Sequence, residues 1–347
     1  MEDRSQEVLG KYELRIYNTY RTRGAYVLET DQGLKLLCGY EGSDNRLEFE
    51  DSLKKQICQN GYGNVDTFVR NNLGEIVTAN MVGDRYLLKD WYGGEECSLK
   101  KEEKILYAVS NLAQLHNCMT AINTTQHLKK LYLQNDLKTT MEKRTRELKR
   151  VKSYIRDRKQ KNEFEICYLS ECDEFYENAL AAMEMLGKIP YHEMLEESIQ
   201  QGKVCHGSYT YHNIIMLDEQ ISSTLCKAAE LSVDQMIATT NFEKAEYGLQ
   251  IHDLYYFIRK TMEKNDWNLS LGGRIIKEYQ ALHGFDKDER KLLYILLLYP
   301  EKFWKITNYY YNSKKSWIPQ KNVQKLQAIC QQSDSKKKFL VKLLSIE

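Results

Sequence analysis

Residues 204–216 read VCHGSYTYHNIIM, and residues 237–260 read IATTNFEKAEYGLQIHDLYYFIRK. The first stretch places a polar loop, beginning at His206 and Gly207, between two apolar runs, which predicts two short strands joined by a loop. The second predicts a short strand, a polar turn and a helix that begins near Asp253, with the Asp253 side chain as its cap. Polar side chains therefore collect in two loops between apolar elements, where we expect a functional site.

The segment before these loops predicts a small sheet with one helix packed on it. KYELRIYNTY, GAYVLET and GLKLLC are short runs rich in Tyr, Val and Leu, with turns at Arg23-Gly24 and Gln32-Gly33 between them. RLEFEDSLKKQICQNG then shows apolar residues at near-helical spacing, and VDTFVRN, EIVTANMV and RYLLKDWY return to the strand pattern. The predicted order is therefore three strands, one helix and three strands.

The remainder of the chain is dominated by helical patterns. EEKILYAVSNLAQLHNCM is amphipathic, residues 136–161 carry eleven Lys or Arg against four acids, and residues 163–186 carry seven acids and no Lys or Arg. Two interpretations of the charged segments stay open: an antiparallel helix pair with complementary faces, or a basic face that docks an acidic partner. From Asn268 onward we expect more helices, with ILLLYPEKFW as a buried element and SKKKFLVKLL as a final amphipathic helix.

The pattern as a whole indicates an α+β fold in two lobes. We expect a small β-rich N-terminal lobe in residues 1–90 and a larger helical C-terminal lobe in residues 91–347. A glycine-containing joint at about residues 89–95 would connect them. Because ligands prefer clefts at such joints, we expect any binding site to lie near this segment.

Composition excludes several classes of protein. With 50 Lys and Arg against 49 Asp and Glu, the formal net charge is +1, which argues against a dedicated nucleic-acid binder. The longest apolar run, residues 292–299, is too short to span a membrane, and the N-terminus shows no secretory signal. Nine scattered cysteines fit reduced structural thiols better than disulfides or zinc ligands, so we expect a cytoplasmic protein.

The two polar loops resemble the catalytic motifs of the aminoglycoside and choline kinase-like phosphotransferases. HG-S-YTY-HN, residues 206–213, has the form of that family's catalytic loop HGDxxxxN. TNFEKA stands where the family has its metal-binding Asp-Phe or Asp-Trp pair, and DLYYFIRK resembles the DLxxxxRK element that follows. Beyond these motifs, RGAYVLETDQGLKLL, KDWYGGEEC, LAQLH and YPEKFWK resemble the bacterial CotS-type spore-coat branch. The resemblance covers nearly the whole chain and implies a bilobal protein-kinase-like fold.

Phosphoryl transfer in the resembled family uses few protein groups. A lobe-one lysine binds the α- and β-phosphates beside a helix glutamate, a loop aspartate accepts the hydroxyl proton, and an asparagine and a later aspartate bind the metal. The resemblance puts Ser208 at the proton-accepting position and Asn241 at the later aspartate, while Asn213 matches the loop asparagine. His206, Ser208 and Asn213 are therefore candidate catalytic positions that we expect to be impaired, with His206 bonding backbone and His212 as a substitute base.

The resemblance leaves the register of the phosphate-binding lysine open. The strand GLKLLC offers Lys35, whereas a family-like register puts the lysine nearer the positions of Leu37 and Cys38. On the following helix, Glu48 or Glu50 would be the partner acid. We take Lys35 and Glu50 as the candidate cofactor-binding pair.

Asp90 and Trp91, in the predicted joint, complete the candidate cofactor-binding set. Mg²⁺ is a hard cation that prefers anionic oxygen, and Asn213 and Asn241 offer only neutral amides. Glu243 lies two residues beyond Asn241 and would point to the same side of a strand, so these three residues form the candidate metal set. ATP with Mg²⁺ is the cofactor that the resemblance implies for an active enzyme.

The sequence predicts a catalytically degenerate kinase-like protein that resembles the CotS type and acts in spore-coat assembly or as a binding scaffold. Its expected partners are spore-coat proteins and not nucleic acid, and its expected location is the mother-cell cytoplasm, with deposition in the spore coat. Two alternatives stay open. One is an active ATP-dependent small-molecule phosphotransferase, and the other is a regulatory pseudokinase that binds nucleotide without metal.

Overall fold

A computed structural model describes residues 3–217, 236–312 and 320–345. We expect the stretch between residues 217 and 238 to form either an insertion on the substrate side or a surface hairpin. This stretch lies almost entirely outside the described residues. The chain forms two compact units: Met1–Leu133 with Ile199–Gly248, and Gln134–Ser198 with Leu249–Glu347. The lobe boundary that we expect at residues 90 and 91 stays a prediction.

The first unit contains an antiparallel six-stranded sheet, preceded by helix α1 (Asp3–Leu9) and interrupted in the chain by helix α2 (Asp44–Gln59). Its strands are β1 (Ile16–Thr22), β2 (Ala25–Thr30), β3 (Gly33–Gly39), β4 (Phe68–Val69), β5 (Val77–Ala79) and β6 (Arg85–Asp90). They lie in the order β1-β2-β3-β6-β4, with β5 also paired to β6. The predicted order of three strands, one helix and three strands is confirmed from Ile16 to Asp90, whereas helix α1 was not predicted.

The two faces of this sheet have different surroundings, and the register decides which residues each face presents. Leu37 of β3 pairs with Leu88 of β6, and both pack against Val8 and Tyr12 from the N-terminal segment. Successive side chains of a strand point to opposite faces. Cys38 and Lys89 therefore point to the other face, the side on which α2 packs.

The rest of the first unit brings the two polar loops together on short strands. Three strands form one small sheet in the order β10-β9-β7, and two more pair as β11-β8. These elements, with two helices, are β7 (Gly94–Glu96), α3 (Glu102–Cys118), α4 (Gln126–Leu131), β8 (Val204–Cys205), β9 (Ile214–Leu217), β10 (Ile237–Thr239) and β11 (Glu246–Tyr247). The predicted loop between short strands at residues 204–216 is confirmed.

The second unit is helical. Its helices are α5 (Leu137–Asp157), α6 (Glu163–Leu186), α7 (Tyr191–Gln200), α8 (Ile251–Lys264), α9 (Leu269–Leu282), α10 (Lys287–Leu298), α11 (Glu301–Asn312), α12 (Gln320–Gln331) and α13 (Ser333–Ser345). A β-sheet region followed by a large helical region confirms the predicted α+β class. No helix in the described ranges is both long enough and apolar enough to cross a membrane.

The basic helix α5 and the acidic helix α6 pack against each other in antiparallel fashion. Arg158, just past the end of α5, pairs with Glu165 near the start of α6 at 2.8 Å, and Lys152 pairs with Asp173. The Tyr168 hydroxyl donates to the Leu148 carbonyl at 3.0 Å within their shared apolar core. The interpretation as a helix pair with complementary faces is therefore confirmed.

Two local expectations about the second unit are wrong. Helix α8 begins at Ile251 with Gln250 as its N-cap, so Asp253 lies inside the first turn and does not cap the helix. ILLLYPEKFW is not one element, because α10 ends at Leu298 and α11 begins at Glu301. Pro300 accounts for the break, since proline supplies no backbone N–H and disfavours helical geometry in the residue before it.

Candidate functional site

His206 ties the two polar loops of the first unit together. Its buried ring lies with Nε2 3.1 Å from the Thr240 carbonyl, and its Nδ1 accepts from the Ser208 N–H at 3.2 Å. The Thr240 N–H in turn donates to the Asn213 carbonyl at 3.0 Å. These bonds use both ring nitrogens of a neutral imidazole, so the expected backbone-bonding role of His206 agrees with the geometry.

Gly207 allows the two loops to approach each other closely. Its φ of +71° lies in the left-handed region, and a Cβ at this position would lie 2.0 Å from the Lys244 carbonyl oxygen. Glycine alone adopts this conformation without penalty and leaves room for the neighbouring backbone. The motif His-Gly is therefore explained here by packing of the loops.

Ser208 and Asn213 lie together across the first polar loop. The Asn213 amide nitrogen lies 2.8 Å from the Ser208 carbonyl oxygen and 3.3 Å from its hydroxyl. His212 turns to other partners, with Nδ1 2.7 Å from a Glu96 carboxylate oxygen and 3.0 Å from the Arg23 guanidinium. The loop thus positions an amide beside a serine, with the alternative base His212 engaged by Glu96 and Arg23.

The second polar loop is fixed from α2. Arg46 donates from its two terminal nitrogens to the Phe242 carbonyl at 2.8 Å and the Ala245 carbonyl at 2.7 Å. Asn241 has a φ of +67°, and its backbone N–H donates to an Asp66 carboxylate oxygen at 3.1 Å. Asparagine tolerates this left-handed conformation better than most residues. The loop conformation therefore depends on a helix and a loop of the same unit.

Two lysines and two carboxylates form a buried group on the α2 side of the sheet, here called the charge cluster: Glu50, Lys54, Asp66 and Lys89. Lys54 Nζ lies 2.7 Å from Glu50 and 3.0 Å from Asp66, while Lys89 Nζ lies 3.5 Å and 3.4 Å from the same two carboxylates. Two charges of each sign make the cluster neutral, which offsets the cost of burying each ion.

The pKa directions in the charge cluster agree with ionised partners. Burial alone would raise the pKa of the Asp66 carboxyl, but Lys54 and Lys89, with the Asn241 N–H, hold it below its ordinary value. Burial alone would lower the pKa of Lys89, but Asp66 and Glu50 raise it above its ordinary value. Asp66 and Lys89 therefore stay charged at neutral pH.

The structure resolves the register of β3. Leu37 lies on the apolar N-terminal side, whereas Cys38 lies near the charge cluster. Burial raises the pKa of the Cys38 thiol, and the charge of Lys89 is the largest effect that lowers it. Leu36 and Cys38 are thus on the side of β3 that faces α2, and of the two positions to which the resemblance points, 37 and 38, only the second is on that side.

Lys35 and Glu50 are not brought together. Lys35 shares a face with Leu37, and its ammonium lies 2.6 Å from an Asp90 carboxylate oxygen. The other Asp90 oxygen accepts from the Thr67 hydroxyl. Asp90 thus fixes Lys35 on the face opposite the charge cluster.

The predicted joint continues directly from this pair. The Trp91 N–H donates to the Leu34 carbonyl at 3.0 Å, which fastens the end of β6 to β3. The side chains of Asp90 and Trp91 are both half-buried. The cofactor-binding roles of Lys35, Glu50, Asp90 and Trp91 stay predictions.

A cleft of about 1000 Å³ opens in the first unit beside these elements. The turn between β1 and β2, the loop after β3 and the second polar loop form its walls. Cys38 and Glu243 line it, and so does Arg46. At the turn, Arg23 pairs with Glu96 at 2.5 Å. The cleft therefore links the thiol of β3 with the loop that contains Asn241.

The donor set of the predicted metal site does not fit Mg²⁺. Asn213 is bonded to Ser208, Asn241 contributes a neutral amide, and Glu243 supplies the one anionic side chain of the set. Within the described parts of the chain, no group of three or more His, Cys, Asp and Glu has the arrangement of a metal site. Since Mg²⁺ prefers anionic oxygen, the metal role of Asn213, Asn241 and Glu243 stays a prediction that this chemistry disfavours.

Sequence reasoning missed three members of this region. Lys54 follows Glu50 by four residues on α2, a spacing that brings opposite charges together and could have been recognised. Lys89 shares the alternation of RYLLKD with Leu87, which pairs with Cys38. Asp66 lies on a loop and has no local signal, because only the folded chain brings it to Lys54.

Comparison with solved structures identifies the fold. No protein-family model and no curated protein matches the sequence. An aminoglycoside phosphotransferase from Alicyclobacillus acidocaldarius has a TM-score of 0.83 at 17% identity, covering 97% of this chain and 94% of that one. Spectinomycin phosphotransferase, in complex with ADP and spectinomycin, has a TM-score of 0.64 at 10% identity, covering 96% and 97%. An amicoumacin kinase, in complex with AMP-PNP and Ca²⁺, has a TM-score of 0.59 at 10% identity, covering 97% and 94%.

These similarities define the class of fold: the chain has the kinase-like fold of the aminoglycoside phosphotransferases. They extend over nearly the whole length of each chain compared. The predicted α+β, kinase-like fold is therefore confirmed. Because identity is 17% or lower, the likeness establishes the fold and not the reaction.

Proposed function

We propose that the chain is a catalytically degenerate kinase-like protein whose fold serves as a binding scaffold. The arrangement around Glu50 carries this proposal. Lys54 and Lys89 neutralise Glu50 and Asp66 inside the first unit, and Cys38 stands where the resemblance expects a phosphate-binding lysine. Lys54 and Lys89, on the α2 side of the sheet, therefore pair with buried carboxylates and are not available to bind the phosphates of a nucleotide.

The polar loops support the same conclusion. Positioned proton transfer typically contributes about 10²–10⁴-fold to a rate, and the Ser208 hydroxyl is not a base at neutral pH without an activator. Asn241 offers an amide where the resembled family has a metal-binding carboxylate. Efficient Mg²⁺-dependent phosphoryl transfer is consequently the function that these residues disfavour.

Thermal unfolding with nucleotide tests the proposal. The melting temperature is measured with millimolar ATP, with Mg²⁺ or Mn²⁺ and with EDTA. At about 100 times Kd, a ligand would stabilise the folded state by about 2.7 kcal/mol, which corresponds to a shift of a few degrees. The double variant Ser208→Asp, Asn241→Asp restores both carboxylates and serves as the comparison for metal dependence.

The possible outcomes separate the three functional hypotheses. If the chain is a binding scaffold, ATP should not change the melting temperature of the wild type. A shift that requires metal, together with ATP consumption, would establish an active small-molecule phosphotransferase and overturn the proposal. A shift that survives EDTA would instead identify a regulatory pseudokinase that binds nucleotide without metal.

The proposed biological setting is the assembly of a bacterial spore coat, with coat proteins as partners in the mother-cell cytoplasm and final deposition in the coat. Support comes from the resemblance of RGAYVLETDQGLKLL, KDWYGGEEC and YPEKFWK to the CotS type. A fluorescent fusion of the full chain in a sporulating host tests it. We expect fluorescence around the forespore and the chain in coat extracts, and uniform fluorescence with no chain in the coat would refute this setting.

A further inference from the structure

A small cavity lies inside the second unit. It has a volume of about 50 Å³ and lies among α6, α8, α11 and α13. Its walls include the aromatic rings of Phe175, Trp267 and Phe303. Phe175 and Phe303 stack on each other with ring centres 4.3 Å apart. The cavity therefore has rigid apolar walls, and its polar lining determines what it can hold.

Cations outnumber anions in the lining of this cavity. Arg259 and Lys302 share the carboxylate of Glu263, at 2.9 Å and 3.2 Å, and Lys337 is paired with Glu174 at 3.1 Å. Arg259, Lys302 and Glu263 alone leave one positive charge in excess. A further lysine adds to that excess.

Lys336 is that further lysine. Across the described residues, its ammonium has no carboxylate within 4 Å and no hydrogen-bond acceptor, and it lies 5.5 Å from the centre of the Trp267 ring. Burial is the main cause that lowers the pKa of Lys336 to about 8. Glu263 and Glu174 oppose this effect from beyond 4 Å, and an anion bound directly to the ammonium would offset more of the cost of its burial.

Arg259 supplies a second unused donor. Its side chain is 8% exposed, and its buried Nε makes no hydrogen bond to any described residue, with the Glu301 carboxylate 3.8 Å away. Arg259 lines the cavity together with Lys336, and its Nη1 pairs with the Glu263 carboxylate that also lines it. An arginine fork beside an ammonium is a combination that recognises oxyanions.

We propose that this cavity, here called the Lys336 cavity, binds a phosphate group, either as the free ion or as the end of a small phosphomonoester. Arg259, Lys302 and Lys336 line the cavity with Glu263 as the one carboxylate among its described lining residues, and this excess of cations suits an oxyanion. A water molecule needs about 10–15 Å³ of cavity volume, so this cavity has room for roughly three to five water molecules, which is about the size of a phosphate group. This proposal does not depend on the function proposed for the first unit.

Calorimetric titration of the full chain with inorganic phosphate tests the proposal, with sodium chloride at equal ionic strength as the reference. The variant Lys336→Met removes the lone ammonium, and Lys338→Met removes an exposed ammonium on the same helix as the matched control. We expect Lys336→Met to weaken phosphate binding at least tenfold and Lys338→Met to leave it unchanged. Equal binding by wild type and Lys336→Met, or no binding by wild type, would overturn the proposal.

Melting temperatures separate a binding role from a structural one. In phosphate-free buffer, Lys336→Met should melt at or above the wild-type temperature, because it removes an uncompensated charge; added phosphate should raise only the wild type. A large loss of stability in phosphate-free buffer would show that Lys336 is structural and would refute the proposal. Phenyl phosphate and inorganic phosphate form two arms, and tighter binding of the ester would identify a phosphomonoester as the ligand.

Discussion

Lys89 on β6 lies 3.5 Å from Glu50 on α2, and its partner in the sheet is Leu36 of β3, two residues before Cys38 on the same face. The carboxylate that the kinase-like resemblance pairs with a β3 lysine is therefore neutralised from a different strand and, through Lys54, from its own helix. The ion pairs of Lys89 with Glu50 and Asp66 hold α2 and its neighbouring loop to the sheet.

Removing Lys89 should destabilise the first unit strongly. Lys89→Met leaves Glu50 and Asp66 with Lys54 as their only cation, and breaking a buried pair typically costs about 3–5 kcal/mol. Lys55→Met provides the matched control, because Lys55 is 56% exposed and pairs with Asp51 at the surface. Urea unfolding should show a large loss for the first variant and a change within about 0.5 kcal/mol for the second. Equal losses would contradict the role assigned to the charge cluster.

Replacing Gly207 should cost more than replacing another glycine of similar conformation. Gly207→Ala places a Cβ against the Lys244 carbonyl oxygen as well as straining a φ of +71°. Gly33 has a φ of +84°, and a Cβ added there would meet no atom within 4 Å, so Gly33→Ala isolates the conformational cost of about 1 kcal/mol. Urea midpoints of the two variants give the cost of the clash by difference, and equal midpoints would show that the loops can separate freely.

Arg46 should control the mobility of the second polar loop. Arg46→Met removes both hydrogen bonds to the Phe242 and Ala245 carbonyls, leaving two acceptors to find other donors. Hydrogen exchange should then accelerate over residues 241–247. Arg70→Met, which removes a surface guanidinium paired with Asp51, is the control. Protection in residues 241–247 that survives Arg46→Met would mean that other contacts hold the loop.

Acid should destabilise the second unit through Glu301. Burial alone would raise the pKa of this 4% exposed carboxyl, but Arg259 and Lys305 lower it to about 2 from 4.5. Because the folded-state pKa is depressed, the unfolded chain takes up the proton first as pH falls. The contribution, about 3 kcal/mol, is present above pH 4.5 and is lost as pH falls through about 2.

Urea unfolding as a function of pH measures this contribution. The free energy of unfolding of the wild type should fall steadily from about pH 4.5 downward. Glu301→Gln should have a smaller free energy of unfolding at pH 4.5, and that energy should change less with pH over the same interval. Glu177→Gln, at an exposed position on α6, is the control variant. Parallel curves for wild type and Glu301→Gln would exclude Glu301 as the titrating group.

Much of the fold follows from local sequence patterns. The strand runs, the helix over residues 44–59 and the loop at residues 204–216 are each specified by alternation, helical spacing or turn residues near one another in the chain. The break at Pro300 could also be predicted, since proline disfavours a continuous helix. Its neighbours form so apolar a run that they suggest one element.

The site was less predictable because it depends on register and on distant contacts. Successive residues of β3 point to opposite faces of the sheet, so an error of one residue in the register places a candidate side chain such as Lys35 on the wrong face. Asp66 reaches the charge cluster from a loop, and Lys89 reaches it from a strand paired with β3. Neither relationship leaves a pattern within a short window of sequence.

The neutrality of the charge cluster limits which side chain position 38 can hold. Cys38→Lys would bring a third ammonium to two carboxylates that already have two, so this single change would be unfavourable. Removing Lys54 or Lys89 beforehand would leave a buried carboxylate undercompensated. A lysine at position 38 would therefore be tolerated only together with a second change that removes one of the two cations already present.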